Sequence, residues 1–234
     1  RLLQYFGLST SLLASGWAPH LTARPSRKLG VALLGLGSYS NGQLAPGLQL
    51  TQHCELRGIV TGSPEKIPKW QERYGIKDAN VYSYETMHRL ADNPDIDVVY
   101  VVTPPGLHKK YAVAAANAGK HVWCEKPMAM NPEECREIID ACRKNRVKLS
   151  IGYRMQHEPN TQTIMRFADE KPFGAIERLD VMAAYSGGQN RSPENWRMKR
   201  ELGGGALYDM GVYTINGSRY ATGEEPIAVT ARHE

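Results

Sequence analysis

Two short stretches of this chain place reactive side chains at spacings that could do chemistry. Cys124-Glu125-Lys126-Pro127 closes the apolar run His121-Val122-Trp123-Cys124, just before a turn and a helical segment. A Glu-Lys pair at the carboxyl end of a strand is where an open α/β sheet presents groups to a ligand. The proline keeps Lys126 extended and ends the strand. Far downstream, Asp209-Met210-Gly211-Val212-Tyr213 sets a carboxylate four residues before a phenol, on one face of a helix. An ammonium can hydrogen-bond a substrate oxygen and stabilise negative charge developing there. A phenol can serve as general acid or base, and a nearby ammonium eases loss of its proton. Taken singly, these patterns equally describe a solvated charge pair on a turn and an amphipathic helix with a core tyrosine. What surrounds them decides.

The elements that must position them begin at residue 29. Leu29-Gly30-Val31-Ala32-Leu33-Leu34 is an apolar run of strand length. It feeds Gly35-Leu36-Gly37-Ser38-Tyr39-Ser40, a G-x-G-x-x-S form of the dinucleotide fingerprint. Gly35 permits the tight turn, Gly37 lets backbone approach a pyrophosphate, and Ser40 replaces the third small residue, a mild departure. Ser38 and Tyr39 belong to the same turn. The next strand, residues 54–61, ends in Thr61-Gly62-Ser63-Pro64-Glu65-Lys66. A site selective for NAD would carry Asp or Glu at that strand end. Thr61, Ser63 and Lys66 instead suit a 2′-phosphate, which a carboxylate would repel, so the pattern points to NADP over NAD. Glu65 opens the following helix, where an acid suits the dipole.

Alternation continues with helices over 64–74, 84–92, 107–118 and 132–145. Strands are expected over 96–102, 121–125 and 147–152. This order predicts a parallel, doubly wound Rossmann-type sheet with right-handed crossovers. From Tyr153 the pattern changes: a helix over 158–170, a strand over 176–185, a polar run, Gly203-Gly204-Gly205, a helix from 206 to about 220, and a strand over 227–231. Three divisions follow: an arm or export-signal remnant over 1–28, a dinucleotide-binding domain over 29–152, and a substrate and oligomerisation domain over 153–234.

The totals narrow the class. At 234 residues the chain can bury one large core or two modest ones. Net charge is +5, but the basic residues are scattered, which suits an anionic cofactor and not a nucleic acid. Cys54, Cys124, Cys135 and Cys142 show neither metal-ligand nor disulfide spacing, so no metal is expected. Cys135 and Cys142, seven apart, share a helix face and read as buried thiols. Residues 2–18 are too polar for a membrane span. They fit either an extended arm or the apolar part of an export signal, leaving periplasm and cytoplasm both open.

Five ordered motifs now stand together: Gly35-x-Gly37, Thr103-Pro104-Pro105-x-x-His108, Glu125-Lys126-Pro127, Gly152-Tyr153-Arg154 and Asp209-x-Gly211-x-Tyr213. On these the chain, over about residues 29–234, resembles the glucose–fructose oxidoreductase/inositol dehydrogenase (Gfo/Idh/MocA) family. Tyr213 in place of the commoner histidine, with Trp196-Arg197 and Arg200-Glu201-Leu202, is most similar to the glucose–fructose oxidoreductase members. The resemblance implies hydride transfer between a sugar and a nicotinamide, with Lys126, Asp209 and Tyr213 at the reacting centre. It implies that Glu125 fixes the nicotinamide end, that Thr103 and Pro104 form the cofactor-side turn, and that Tyr84 stacks on the adenine. Tyr153 and Arg154 would line the substrate pocket with Lys126, and Arg154 would also reach the cofactor. Trp196 and Arg197 would contact cofactor or sugar, an exposed aromatic–Arg pair being the ordinary alternative. His108 is placed on the cofactor side, although a histidine there more often caps or packs. His157 lies near the expected pocket without an assigned role. Pro105 departs from the Asn often found there and removes an amide. The family's second domain is a large, mostly antiparallel sheet, of which this chain would hold only the beginning, roughly a hundred residues short. A homodimer or homotetramer is implied. The rival reading is a catalytically silent nucleotide sensor or scaffold on the same fold, which would be expected to lack the lysine or the acid/base residue.

Overall fold

The computed structural model describes residues 27–186 and 192–232. The arm or export-signal expectation therefore lies almost wholly outside the described residues. Six strands form the sheet: β1 (Leu29–Leu34), β2 (Cys54–Val60), β3 (Val81–Tyr82), β4 (Val98–Val101), β5 (His121–Cys124) and β6 (Leu149–Ile151). Their order is β3-β2-β1-β4-β5-β6, and every neighbouring pair is parallel. The sheet is α/β and Rossmann-like in layout.

Helices cover both faces, which explains why β1 reads as unbroken apolar sequence and not as an alternation. Ala32 and Leu34 face one core, with Val99, Val101 and Val122, beneath α3 (His108–Asn117) and α4 (Pro132–Lys144). Val31 and Leu33 face the other, with Ile59, Leu48 and Trp70, beneath α1 (Ala45–Leu50) and α2 (Ile67–Tyr74). Buried Ala112, Ala115 and Ala116 let α3 approach closely. Asn131 caps α4 by accepting from the Glu134 N–H at 2.9 Å. Cys124 and Cys142 are buried in the first core with Cys135 packed against it, and all four cysteines are free thiols.

Ser40 has a use that glycine or alanine would lack. It is fully buried, and its Oγ donates to the Gly35 carbonyl at 2.6 Å, tying the turn to the helix that follows.

Several expectations need correction. Residues 84–92 form a turn and a 3-10 segment, Met87–Asp92, because Ser83 and Thr86 hydrogen-bond one another and set the chain direction locally. The two-residue edge strand β3 was too short to see in sequence. The strands expected over 176–185 and 227–231 are absent, and among the described residues no strand follows β6, so no antiparallel sheet is present there. Alternation specifies which face a strand would bury, but a ladder also needs a neighbour. Ile176, Val181, Met182, Ile227 and Val229 remain exposed. The second half is instead two helices, α5 (Pro159–Glu170) and α6 (Val212–Thr222), packed together, with a wide π-type turn, Leu207–Gly211, leading into α6.

Candidate active site

Strand order brings the carboxyl ends of β1, β4, β5 and β6 side by side. Glu125 N–H donates to the Val101 carbonyl at 3.0 Å and Gly152 N–H to the Cys124 carbonyl at 2.8 Å. The Gly35 turn, the Thr103 turn, Glu125-Lys126 and Gly152-Tyr153-Arg154 therefore share one edge.

The glycine turn has the shape of a phosphate cradle. Gly35 sits at φ +99°, where a Cβ would come within 2.8 Å of the Val102 carbonyl, and the space beside Gly37 is open. Lys66 Nζ donates to the Leu36 carbonyl at 3.3 Å, holding a cation against this turn. Ser63 N–H donates to Thr61 Oγ1 at 3.0 Å, so Thr61, Gly62 and Ser63 form a compact polar corner. Tyr84 covers that corner: its ring would lie 2.9 Å from a Cβ on Gly62, and it stacks on Tyr111 with centroids 4.7 Å apart. A dinucleotide fits these features: an open glycine, a left-handed turn, and a cation beside the second strand's end.

Behind Lys126, the Lys126-Pro127 peptide is cis. His108 is fully buried, with its ring nitrogens 2.8 Å from the carbonyl oxygens of Pro127 and Thr103. Burial pushes its pKa down, against the pull of those hydrogen bonds. It braces both turns from behind. Pro105 is buried under the second half: Gly203, at φ +81°, would press a Cβ to 2.7 Å from it, and a Cβ on Gly106 would meet the Glu201 carbonyl at 2.5 Å. The proline that replaces an amide thus forms the seat for the 196–205 loop. Tyr208 Oη adds a bond to the Met130 carbonyl at 2.6 Å.

Across this seat, Lys126 meets the second half. Its Nζ donates to the Asp209 main-chain carbonyl at 2.5 Å and approaches Asp209 Oδ1 at 3.4 Å. It also lies over the Tyr213 ring, 4.6 Å from the centroid, so it meets the face of the ring. Asp209 Oδ2 accepts from Arg197 Nε at 2.9 Å and Tyr185 Oη at 3.0 Å. Burial pushes the Asp209 carboxyl up, but the Arg197 hydrogen bond and charge, with Lys126 and Tyr185, outweigh it and hold it below the usual carboxylate range. Glu125 is the opposite case. Burial raises it, only partly offset by the Tyr100 Oη donor at 2.6 Å and the Lys126 N–H at 3.2 Å. Burial, together with the Glu125 charge, in turn pushes the Tyr100 phenol far up.

Two grooves flank this cluster. One, of about 400 Å³, has Tyr153, Arg154 and Tyr213 in its wall with Met182 and Tyr220. The other, of about 340 Å³, runs over the sheet between Tyr39, Tyr100, Trp123 and His157, and again includes Tyr153 and Arg154. Tyr39 of the glycine turn is raised by burial and by the Glu125 charge. Trp196 stacks under the Arg197 guanidinium, 4.4 Å from its ring centroid.

Sequence reasoning missed Tyr100 and Tyr185. A hydroxyl inside a buried parallel strand needs a partner, so Tyr100 carried a usable signal. Tyr185, beside a polar run, carried none.

Comparison with known proteins agrees with this architecture. Residues 29–153 match the oxidoreductase family with an NAD-binding Rossmann fold, and residues 161–234 match the GFO/IDH/MocA C-terminal domain. The chain is similar to the structure of an aldose-aldose oxidoreductase from Caulobacter crescentus complexed with glycerol: 40% identity, TM-score 0.76, covering 86% of this chain and 59% of that one. It is 31% identical to a D-xylose 1-dehydrogenase [NADP(+)] of Haloarcula marismortui over 85% of this chain and 55% of the relative. A levoglucosan dehydrogenase of Pseudarthrobacter phenanthrenivorans is 32% identical over 71% and 42% respectively. The chain thus spans about half the length of the curated relatives it matches. With both family matches, the ordered motifs and the parallel sheet in agreement, this chain belongs to the GFO/IDH/MocA oxidoreductase family.

Proposed function

We propose that the protein is an NADP-dependent oxidoreductase that moves a hydride between a pyranose-like sugar and a nicotinamide, with the cofactor retained while one sugar is oxidised and another reduced. The observation that carries this reading is the meeting of Lys126, Asp209 and Tyr213 beside the glycine turn, although the chain separates Lys126 from the other two widely. When bound, the nicotinamide would supply the hydride acceptor. The chain's own residues would do the rest. Lys126 is the cation to hydrogen-bond the reacting oxygen and stabilise charge developing on it. Tyr213 is the group to take or return the hydroxyl proton. Tyr153 and Arg154, in the wall of the larger groove with Tyr213, would orient the sugar. Glu125, fixed by Tyr100, would meet the nicotinamide end, with Thr103 and Pro104 forming the turn beside it. Gly35, Gly37, Ser38 and Tyr39 would take the pyrophosphate side. Thr61, Gly62, Ser63 and Lys66 would take the 2′-phosphate, and Tyr84 the adenine.

The relative named as an NADP(+) xylose dehydrogenase and the one named as an aldose-aldose oxidoreductase support the cofactor and substrate class. A homodimer or homotetramer belongs to the same reading. Light scattering tests it.

The deciding experiment is the absorbance spectrum of the purified protein before and after glucose. A bound nicotinamide that becomes reduced with glucose and reoxidised with fructose establishes the retained-cofactor reaction. Copurifying cofactor that no sugar reduces favours a sensor. Titration with NADP and NAD then separates the two cofactors, and Lys66→Glu should weaken NADP more than NAD.

A further inference from the structure

The sequence reading sets Arg197 against cofactor or sugar; within the chain itself, the structure gives it a partner in Asp209. Its Nε donates to Asp209 Oδ2, while Lys126 takes the other side of the same residue through Oδ1 and the main-chain carbonyl. One carboxylate thus lies between two cations. Arg197 is the outer one, its side chain 33% exposed against 14% for Asp209 and 13% for Lys126.

The loop is built to hold that guanidinium. Asn195 Oδ1 accepts the Arg197 N–H at 3.0 Å, and the Arg197 carbonyl accepts from Gly205 N–H at 3.0 Å. A Cβ on Gly204 would lie 2.5 Å from that carbonyl, so a side chain there would displace the turn. Trp196 supplies a flat surface under the guanidinium. A planar, stacked guanidinium delivering Nε to a carboxylate keeps one geometry, which a lysine ammonium would not.

We infer that Arg197 is a positioning residue, which holds and neutralises the Asp209 carboxylate so that Lys126 keeps its place over Tyr213 without being captured as that carboxylate's sole counter-ion. Without Arg197, Asp209 and Lys126 form a closed pair, and the ammonium is drawn towards the carboxylate and away from a substrate oxygen. The inference rests on the proposed roles of Lys126 and Tyr213, but its central contact can be tested apart from them.

The first measurement is the titration of the Asp209 side-chain carboxyl by ¹³C NMR, assigned by its loss in Asp209→Asn. Among the described residues, the groups facing it are Arg197, Lys126 and Tyr185. Arg197→Met should move the titration to higher pH, and Arg197→Lys should restore part of the shift. A carboxyl unmoved in folded Arg197→Met overturns the inference, whether or not any sugar is turned over. The second is a double-mutant cycle on kcat. Arg197→Met should lower kcat by up to about a hundredfold, the scale of a misplaced reacting group, while NADP affinity by fluorescence titration stays near that of the parent. In an Asp209→Asn background the same change should add little. Independent, multiplying losses, or a loss confined to NADP affinity, would place Arg197 on the cofactor or sugar and overturn the inference. A parent protein that reduces its cofactor with no sugar defeats the functional reading alone, and the carboxyl titration still decides the role of Arg197.

Discussion

Glu125 and Asp209 both attend Lys126, and their surroundings drive them in opposite directions. Glu125 comes from the parallel sheet, where burial raises its pKa and one phenol and one N–H hold it. Asp209 comes from the turn before α6, where two cations and a tyrosine overcome burial and keep it ionised. The same functional group is thus offered to the site with its pKa pushed in two opposite directions. What differs is the count of positive donors around each oxygen, not the depth alone. A pair of carboxylates pushed apart in this way gives one lysine two neighbours with opposite proton affinities relative to a free carboxyl.

The sharpest way to break the comparison is to remove the shared cation. Lys126→Met should lower kcat by about 10² to 10³, the usual cost of losing a donor aimed at developing charge, while cofactor binding by fluorescence persists; unchanged turnover would remove Lys126 from the chemistry. The Glu125 side can be attacked by crowding. A Cβ on Gly152 would fall 2.8 Å from Glu125 Oε1 and 3.1 Å from Tyr100 Oη. Gly152→Ala should therefore cost about 1–3 kcal/mol, as overpacking does, read as a lower urea midpoint; an unshifted midpoint would mean the pair yields freely. Removing the phenolic donor is milder. Tyr100→Phe should cost about 1 kcal/mol and raise the Glu125 titration further, which ¹³C NMR would follow.

The smallest effect is the pH dependence, and it has opposite sign at the two sites. The folded-state pKa of Asp209 lies below its unfolded value of about 4, so its contribution to stability is fully present above that pH. That contribution is lost as pH falls through the lowered folded value. Glu125 has a raised folded pKa, so its ionisation costs stability above that value. Acidification from there to about pH 4.3 returns it. Comparing urea midpoints against pH for Asp209→Asn and Glu125→Gln with the parent should give difference curves that slope in opposite senses. Parallel curves would refute the contrast.

The sheet was largely legible because β1 and β4 are apolar on both faces, and because they and β2 each end in a turn or helix signal. The site was legible less evenly. Taken alone, Glu125-Lys126 could not be told from a solvated charge pair on a turn, nor Asp209 and Tyr213 from a core-facing helix; the accompanying motifs separated both from those readings. The expected strands at 176–185 and 227–231 failed for the reason β3 went unseen: strand formation belongs to a pair of segments, and one sequence window holds half of it. Tyr185 and the second role of Pro105 were invisible because their partners lie elsewhere in the chain.

By itself, the sequence determined the glycine turn, the alternation of β1, β2, β4, β5 and β6 with α2, α3 and α4, and the lysine at the end of β5, since each depends on residues close together in the chain. Only the tertiary structure decided that Asp209 is shared by Lys126 and Arg197, that His108 braces two turns from inside, and that Pro105 seats the second half. Those outcomes depend on distance and desolvation between segments far apart in sequence, and spacing along the chain does not encode either.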